Sequence, residues 1–525
     1  MQHFKFNKMK SKKYLLGPLF IITTFLLTDC NKQLDAPREL ETKAGSVDYT
    51  SPIAAKAALV GAYQSFYDFW WEHVPCLSVR GDDVNSGGGR NGVFDQPPFH
   101  DEDMFVYDAN FWMINNAWDG LFQHVLQITA QIEQLEKFRE AGVSSALVDQ
   151  YIAECQVLRG WLTLMLSRTF GGVFKVTSTD PTLLSMQTKD EIMNWIKTEM
   201  EDASAKLLDM RPNQRTDLKG GVTKYTALAV KAMAEQELKD YNAVAATTGE
   251  IISSGKFNLY SDFNKEFKTA GKLSNENILE VQYSDFNSGS GDSRNYLNDF
   301  FGPTNWTPAV SGAGGGWGFF EPSEKYIKFM LNRGEKTRLQ TSVIFTPDGI
   351  DKIKSDPAFA TLPAWISNTT TEGDVFLNSP RVYFYSGKHY LPTIELIPGR
   401  TGYASNKNMN IIRYAEILLM YAEAVTRGGN ASAGSADAAV NLVRARAGLT
   451  PVSGVTSQQV IDEKYAELAM EWGNRYYDMI RLENTAELSY DGRTFTMAKK
   501  YLPYPLAQLD KSPILKEYAD THPDH

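Results

Sequence analysis

Apolar residues recur at helical spacing on two stripes of the segment 411–424. A helix that is apolar on nearly every side is buried, so the pattern predicts a core helix. The polar positions form one narrow line, made of Arg413, Glu416, Glu423 and Arg427. Because an unpaired buried carboxylate costs several kcal/mol, we expect Arg413 to pair with Glu416 and Arg427 with Glu423 across one helical turn. The sequence thus predicts a structural ion network, with a metal or catalytic role for the two glutamates as the alternative.

Helical periodicity continues along most of the chain. The predicted helices lie at roughly 51–71, 111–141, 145–170, 188–209, 222–238, 240–254, 411–428, 433–447 and 457–484. Small residues such as Ala227, Ala232 and Ala234 precede a turn at 239–241, after which Ala243 begins the next helix. Small residues let antiparallel helices approach closely, as in tetratricopeptide repeats. We therefore expect a tetratricopeptide-like scaffold of helical pairs.

Residues from about 256 to 405 follow a different pattern. Segments 278–283 and 381–385 are typical of short strands, and Gly, Ser, Asn and Pro cluster around them. Long irregular segments inside a compact protein are usually functional. The predicted fold class is mainly α: a helical scaffold at about 40–255 and 406–500 carries a loop-rich, ligand-facing insert with a few short strands.

The N-terminus has the layout of a secretion signal. Five lysines between Lys5 and Lys13 precede an apolar run at 14–27, shorter than the roughly 20 residues that span a bilayer. Leu27-Thr28-Asp29-Cys30 follows and resembles a bacterial lipobox, although Asp29 replaces the usual small, uncharged residue. We predict a lipoprotein signal peptide at 1–29, acylation of Cys30 and a single domain at 30–525. An ordinary cleaved signal or an uncleaved anchor is the alternative.

Charge and cysteine content exclude several classes of protein. The chain carries a net charge of −10, and removal of residues 1–29, which carry +4, leaves −14. An acidic body argues against nucleic-acid binding, which requires Lys and Arg to neutralise phosphates. Only Cys76 and Cys155 remain beside Cys30, too few for a disulfide framework or a thiolate metal site. No metal and no cofactor are expected, and Cys155 is predicted to be a small core residue.

Several short motifs occur in one order along the chain. They include Leu34-Asp35-Ala36-Pro37 after Cys30, a tryptophan-led helix at 118–122, and Thr169-Phe170-Gly171-Gly172-Val173 at a helix end. Further motifs are Asn275-Glu276-Asn277-Ile278-Leu279, the 411–424 helix, Asn441 with Arg444 and Arg446, the helix from Glu471 to Arg481, and a Pro-rich tail from Tyr504. Together they resemble the SusD/RagB family of nutrient-binding outer-membrane lipoproteins of Bacteroidota. Gly172 departs from the family pattern, in which an acidic or polar residue is common.

The resemblance implies a function. It implies a SusD-like surface lipoprotein that captures a nutrient and passes it to a SusC-like TonB-dependent transporter. A glycan is the expected ligand, because aromatic residues are plentiful in the loops; an oligopeptide is the alternative within the family. A repeat-type interaction scaffold without a small ligand is the alternative outside it.

The sequence lacks the hallmarks of an enzyme. It has no His-Glu-x-x-His, no Gly-x-Ser-x-Gly and no phosphate-binding Gly-x-x-x-x-Gly-Lys-Ser/Thr motif. A glycosidase needs only two carboxylates at a set separation. A binding protein is nevertheless the prediction, because the family motifs span nearly the whole chain.

Two segments have the residues that a sugar site needs. Sugar rings stack on exposed aromatic faces, with Asn, Asp and Arg at the rim. The first segment contributes Trp70, Trp71, Arg80, Asp82, Asp83 and Asn85. The second contributes Tyr283, Tyr296, Asn305, Trp306 and Trp317. The alternatives are that Asp82 caps a turn, that Trp70 and Trp71 are core residues, and that Trp306 and Trp317 pack within loops or contact a partner.

Overall fold

Helices make up most of the structure, as the apolar periodicity predicts. The computed structural model describes residues 47–68, 80–88, 90, 97–283, 295–304, 306–308, 315–396 and 406–523. Helix accounts for 54% of the fold, and the strands are few and short. The chain from Tyr49 onward forms one compact unit.

The α-helices are taken in chain order. They are α1 (Pro52–Asp68), α2 (Pro97–Asp103), α3 (Trp112–Glu140), α4 (Ser145–Phe170), α5 (Lys189–Ser204), α6 (Lys224–Glu237), α7 (Tyr241–Ser253), α8 (Phe263–Glu266), α9 (Leu297–Phe301), α10 (Glu324–Asn332), α11 (Thr337–Ser342), α12 (Pro347–Lys354), α13 (Tyr414–Thr426), α14 (Ala436–Arg446), α15 (Ser457–Leu468), α16 (Asn474–Arg481), α17 (Leu506–Leu509) and α18 (Pro513–Thr521).

The β-strands form two-stranded antiparallel ladders. They are β1 (Val84–Ser86), β2 (Val173–Lys175), β3 (Ser185–Gln187), β4 (Asn277–Val281), β5 (Trp306–Thr307), β6 (Phe320–Pro322), β7 (Val343–Phe345), β8 (Val375–Phe376), β9 (Phe384–Ser386) and β10 (Met409–Arg413). The pairs are β1 with β6, β2 with β3, β4 with β10, β5 with β8, and β7 with β9.

The scaffold is built from neighbouring helices that pack in succession. Helix α3 packs on α4, α4 on α5, α5 on α6 and α6 on α7, and α13 packs on α7 and α14. Ala227, Ala232 and Ala234 of α6 are fully buried, as close helix packing requires. Cys155 is also a buried core residue, as predicted, and carries a free thiol. The mainly α, tetratricopeptide-like prediction is confirmed.

The core helix begins later than predicted. Residues 411–413 belong to β10, which pairs with β4, and the helix begins at Tyr414. Arg413 therefore does not pair with Glu416. Its guanidinium donates to Glu471, with Nε–Oε2 and Nη2–Oε1 distances of 2.8 Å, and Nη1 donates to Glu276 at 2.6 Å.

The second predicted ion pair is present. Arg427 Nε lies 3.0 Å from Glu423 Oε1, and Arg481 binds both Glu423 oxygens at 2.7 and 2.9 Å. Asp478 accepts from Arg481 at 2.6 Å and lies 2.6 Å from Lys464 Nζ. Glu423, Lys464, Asp478 and Arg481 are buried, and Arg427 lies half-buried at their edge. These charges pair with one another, so the structural ion network predicted here is confirmed.

The long helix predicted at 457–484 is interrupted. Met470, Trp472 and Gly473 have positive φ angles, so the chain is not helical between the end of α15 at Leu468 and the start of α16 at Asn474. The freed Met470 N–H donates to Asp83 Oδ2 at 2.6 Å, and Trp472 Nε1 donates to the Asn410 carbonyl at 2.6 Å. The break therefore lets this segment bind two other parts of the chain.

The insert contains more helix than expected, since α8 to α12 lie within it. The strand predicted at 381–385 is shifted to Phe384–Ser386. Within the described ranges, no helix has both the length and the apolar character needed to cross a bilayer. Cys76 and the N-terminal signal region lie outside the described residues, as does Cys30.

Candidate functional site

The two predicted ligand-binding segments meet in the structure. Strand β1 pairs with β6, and Gly87 N donates to the Phe319 carbonyl at 2.6 Å. Gly88 N donates to the Arg381 carbonyl at 2.9 Å, which brings a third segment alongside. Residues 84–88, 315–322 and 381–386 thus lie side by side, and the outward side chains of these three segments are named here the three-segment surface.

Aromatic rings cover part of this surface. Trp317 and Phe319 are half-buried, and their ring centroids lie 5.4 Å apart. Buried Phe300 supports both, at 5.2 Å from Trp317 and 5.6 Å from Phe319. Arg381 places its guanidinium 5.0 Å from the Phe319 ring centroid. Trp317 and Phe319, named here the aromatic platform, are partly open rings with a cation beside them, and a sugar ring can stack on a partly open aromatic face.

A groove with a volume of about 320 Å³ adjoins the three-segment surface. Its polar lining includes Asn85, Arg90, His100, Asp103, Glu321, Lys352, Tyr383 and Arg493. Arg90 and Lys352 each place their charged group 4.5 Å from the Tyr383 ring centroid. Both signs of charge line the groove, and Arg90 is neutralised by Asp348.

Two carboxylates in the groove hold its walls. Glu321 Oε2 accepts from the backbone N–H groups of Tyr383 and Phe384 at 2.7 and 3.1 Å, and burial raises the pKa of Glu321 to about 7. Asp103 accepts from Ser86 N at 3.0 Å. The groove walls are therefore fixed by hydrogen bonds between its own segments.

Arg80, Asp82 and Asp83 lie beneath the surface rather than on it, with exposures of 0%, 0% and 2%. Asp82 binds Arg475 through two contacts of 2.7 and 3.2 Å and lies 3.1 Å from Lys325 Nζ. Burial favours the neutral form of Asp82, but these two cations hold its pKa below the ordinary value. The alternative, a turn-capping Asp82, is also not observed. These residues anchor the loop, so a direct contact between them and a ligand is not what this structure provides.

Asp83 and Arg80 are held by different partners. Burial raises the pKa of Asp83 to about 6, although its Oδ2 accepts from Met470 N. The Arg80 guanidinium lies 4.3 Å from the Tyr476 ring centroid. Asn85 is the member of this segment that reaches the groove, where its Nδ2 donates to Tyr490 Oη at 3.1 Å.

The aromatic residues of the second segment are divided between surface and core. Trp306 is 5% exposed, packs with Phe376 and donates from Nε1 to Thr393 Oγ1 at 3.0 Å. Its expected exposure is therefore wrong, and loop packing, the alternative, describes it. Tyr283 is also buried, with its ring centroid 5.3 Å from that of Tyr67, whereas Tyr296 is half-buried. Trp70, Trp71 and Asn305 lie outside the described residues. Whether any of these residues binds a ligand stays a prediction.

Sequence reasoning missed the third segment of the site. Arg381 and Tyr383 reach the surface, while Val382 and Phe384 between and beyond them are buried. This is the alternation of a half-buried extended segment. The strand predicted at 381–385 contains this alternation of polar and apolar residues in its sequence.

Metal binding has no support in the described part of the chain, where no group of three or more His, Cys, Asp or Glu side chains is placed to hold an ion. What the surface offers instead is stacking, hydrogen bonding and charge of both signs.

Two family models match the chain. One, described as the SusD family, matches residues 275–519, and another, described as "Starch-binding associating with outer membrane", matches residues 95–234. The chain belongs to the SusD/RagB family. The resemblance inferred from the motifs is thereby confirmed. The assignment also supports a binding protein rather than an enzyme, as predicted.

Relatives and solved structures similar to this chain cover most of its length. A SusD-like protein of Bacteroides ovatus is 22% identical over 503 residues, which is 90% of this chain and 82% of that protein. Surface glycan-binding protein A from Bacteroides fluxus superposes with a TM-score of 0.71 at 24% identity, covering 88% of this chain and 97% of that one.

A further neighbour carries a ligand. Surface glycan-binding protein A from Bacteroides thetaiotaomicron, in complex with laminarihexaose, has a TM-score of 0.69 at 24% identity and covers 87% of this chain and 97% of its own. At this level of identity, the likeness establishes the SusD fold of the chain. The description of the second family model associates the family with the outer membrane.

Proposed function

We propose that this SusD-family protein binds a glycan at the cell surface and passes it to a SusC-like TonB-dependent transporter in the outer membrane. The observation that carries the proposal is the aromatic platform, where half-buried Trp317 and Phe319 lie beside the Arg381 guanidinium. The flat C–H faces of a sugar stack on such rings, and neighbouring polar groups bind its hydroxyls. The family description as starch-binding and the laminarihexaose held by a structural neighbour support a glycan as the ligand.

Membrane attachment through acylated Cys30 is part of the proposal. Its support is the lipobox-like sequence that ends at Cys30, together with the outer-membrane association of the family. Cells that express Cys30→Ala are expected to release the protein from the membrane fraction. Palmitate labelling of the wild type, and its loss in the variant, tests the anchor separately from ligand binding.

An oligopeptide is the second candidate ligand. The groove is lined by the acidic residues Asp103 and Glu321 and by the basic residues Arg90 and Lys352. Charges of both signs would suit the two termini of a peptide, whereas a neutral glycan would use the groove only through hydrogen bonds.

Titration calorimetry with Trp317→Ala tests the platform. Loss of one stacking face is expected to weaken binding of laminarihexaose, or of the best oligosaccharide from a glycan array, about tenfold, a change of about 1.4 kcal/mol. Trp112→Ala is the matched control, because Trp112 is 50% exposed on α3, outside the three-segment surface.

Each result has a defined meaning. Equal affinity of Trp317→Ala and Trp112→Ala would remove the platform from the site. Binding from a peptide library but from no glycan would favour the oligopeptide, and binding of neither would favour an interaction scaffold. Trp306→Phe tests the prediction for that residue: weaker binding at an unchanged melting temperature would restore Trp306 to the site.

A further inference from the structure

A second cleft lies in the insert, outside the groove described above. It is enclosed by β7, by Gln340 of α11 and by the segment 365–371, and has a volume of about 40 Å³. Its lining consists of apolar and neutral polar residues, with no charged side chain among them. The groove on the three-segment surface, in contrast, is lined by acidic and basic groups.

The segment 367–371 presents hydroxyl groups at the cleft. Thr369 forms an antiparallel bridge with Val375, and Ser367, Thr369 and Thr371 are exposed. Thr370 is half-buried, and its Oγ1 accepts from Asp374 N at 3.3 Å. The three exposed hydroxyls all line the cleft, where they form what is named here the hydroxyl edge.

The intervening residues fix this edge in place. Asn368 and Phe376 form two hydrogen bonds with each other. Phe376 N donates to the Asn368 backbone carbonyl at 2.7 Å, and Asn368 Nδ2 donates to the Phe376 backbone carbonyl at 2.9 Å. Thr370 N donates to the Asp374 carbonyl at 2.9 Å. Phe376 in turn stacks on buried Trp306, with ring centroids 6.3 Å apart. Trp306 thus supports the hairpin that carries the hydroxyl edge.

Trp365 also lines the cleft, two residues before the hydroxyl edge begins, and its carbonyl accepts from Gln340 Nε2 at 3.5 Å. Its side chain is half-buried, and within the described residues its indole ring stacks on no other ring and no cation. A half-open indole beside three hydroxyls and the Gln340 amide is the combination that binds a pyranose ring through its apolar face and its hydroxyls together.

We infer that this cleft is a second glycan-binding site, for a neutral pyranose unit whose ring lies on Trp365 while its hydroxyls bond to Ser367, Thr369 and Thr371. The inference rests on the proposed function, since it assumes a glycan ligand. It specifies that the glycan contains neutral pyranose units. Space for roughly three water molecules is too little for a whole sugar ring. It accepts a hydroxymethyl group, while the ring remains at the mouth of the cleft. A uronic acid is disfavoured, because no cation lines the cleft to balance its carboxylate.

Fluorine NMR of protein labelled with 5-fluorotryptophan observes each site separately. Trp365→Phe and Trp317→Phe assign the two resonances, and Trp112, 50% exposed on α3, serves as the internal control. The probes are laminarihexaose, maltohexaose, xylohexaose and mannohexaose as neutral glycans, and an alginate hexamer as the charged one. At least one neutral glycan is expected to shift the Trp365 resonance at saturating concentration, while alginate shifts neither Trp365 nor Trp112.

The variant Thr369→Val provides a second measurement with little risk to folding, because valine matches threonine in shape and suits an extended chain. Its dissociation constant at Trp365 is expected to be about fivefold higher, at an unchanged melting temperature. A Trp365 resonance that moves with no neutral glycan, or moves equally with alginate, overturns the inference. If Trp317 still responds, the proposed function stands; if Trp365 alone responds, the second site stands and the platform fails.

Discussion

At the scale of single residues, burial decides which predicted contacts can form. Asp82 has the residue type and position of a ligand contact, yet its carboxylate is fully buried and bound to Arg475 and Lys325. We expect Asp82→Asn to lower the free energy of unfolding by about 3 kcal/mol, because Arg475 is left with a buried, uncompensated charge. Urea denaturation measures this loss. Asp351→Asn, an exposed aspartate on α12, is the control and should change nothing measurable.

Another buried carboxyl makes stability depend on pH. Burial raises the pKa of Glu280 from 4.5 to about 7, while its Oε1 accepts from Leu273 N at 2.8 Å and from Asn408 Nδ2 at 2.7 Å. The folded state holds the proton where the unfolded chain has released it, so this group's contribution to stability is full below pH 4.5 and is lost as the pH rises through 7. Glu280→Gln keeps both acceptor bonds and removes the titration.

The melting temperature of Glu280→Gln relative to wild type is therefore expected to rise between pH 5 and pH 8. Exposed Glu517→Gln should show no such trend. A constant difference between Glu280→Gln and wild type across this range would mean that Glu280 is ionised in the folded protein as well.

Residue types alone could not separate these roles. A buried Asp82 and a groove-lining Asn85 stand three positions apart in one polar segment. Trp306 and Trp317 are both predicted to lie in loops of the insert, but Trp306 is buried in β5, whereas Trp317 is partly open. The distinction depends on partners from distant segments, because Arg475 binds Asp82 and Phe376 packs on Trp306. The local sequence contains no signal for those contacts.

At the scale of elements, periodicity located the helices better than it located their ends. The apolar pair Ile411-Ile412 fits both a helix stripe and a buried strand, and pairing with β4 places it in β10. The interruption between α15 and α16 was also missed, because Met470 and Trp472 continue the apolar pattern while adopting positive φ angles. Gly473, directly after Trp472, is the residue in the sequence that indicates an interruption of the helix.

The start of α16 depends on that glycine. Gly473 has a φ of 69°, which costs a residue with a Cβ atom about 1–2 kcal/mol. Gly473→Ala is expected to destabilise the protein by about 1 kcal/mol, and Gly473→Asn by less, because asparagine tolerates this conformation better. Thermal unfolding of both variants measures the order. Equal losses for Ala and Asn would show that space around the side chain, rather than φ, sets the cost.

At the scale of the whole molecule, the division into scaffold and insert follows from composition, but the joins between distant segments do not. Strand β1 meets β6 across more than 200 residues, and this pairing creates the three-segment surface. Strands of two or three residues have too little pattern to identify a partner. The sequence thus predicted two ligand-facing segments, whereas only the fold shows that these segments pair with each other.

The C-terminus provides another such join, and Gly172 makes it possible. Tyr504 Oη donates to the Gly172 carbonyl at 2.7 Å, and a Cβ atom at Gly172 would lie 2.6 Å from Tyr518 Cε1. Gly172→Ala is therefore expected to displace α18, whose Leu515 is fully buried. Hydrogen exchange of the amides in 513–521 should accelerate at least tenfold, corresponding to a loss of about 1.4 kcal/mol in local stability.

In a Tyr518→Ala background the same substitution should add no further acceleration, because the clashing ring is absent. Unchanged exchange in the single variant would mean that the ring of Tyr518 moves aside at no cost, and that α18 docks independently of Gly172.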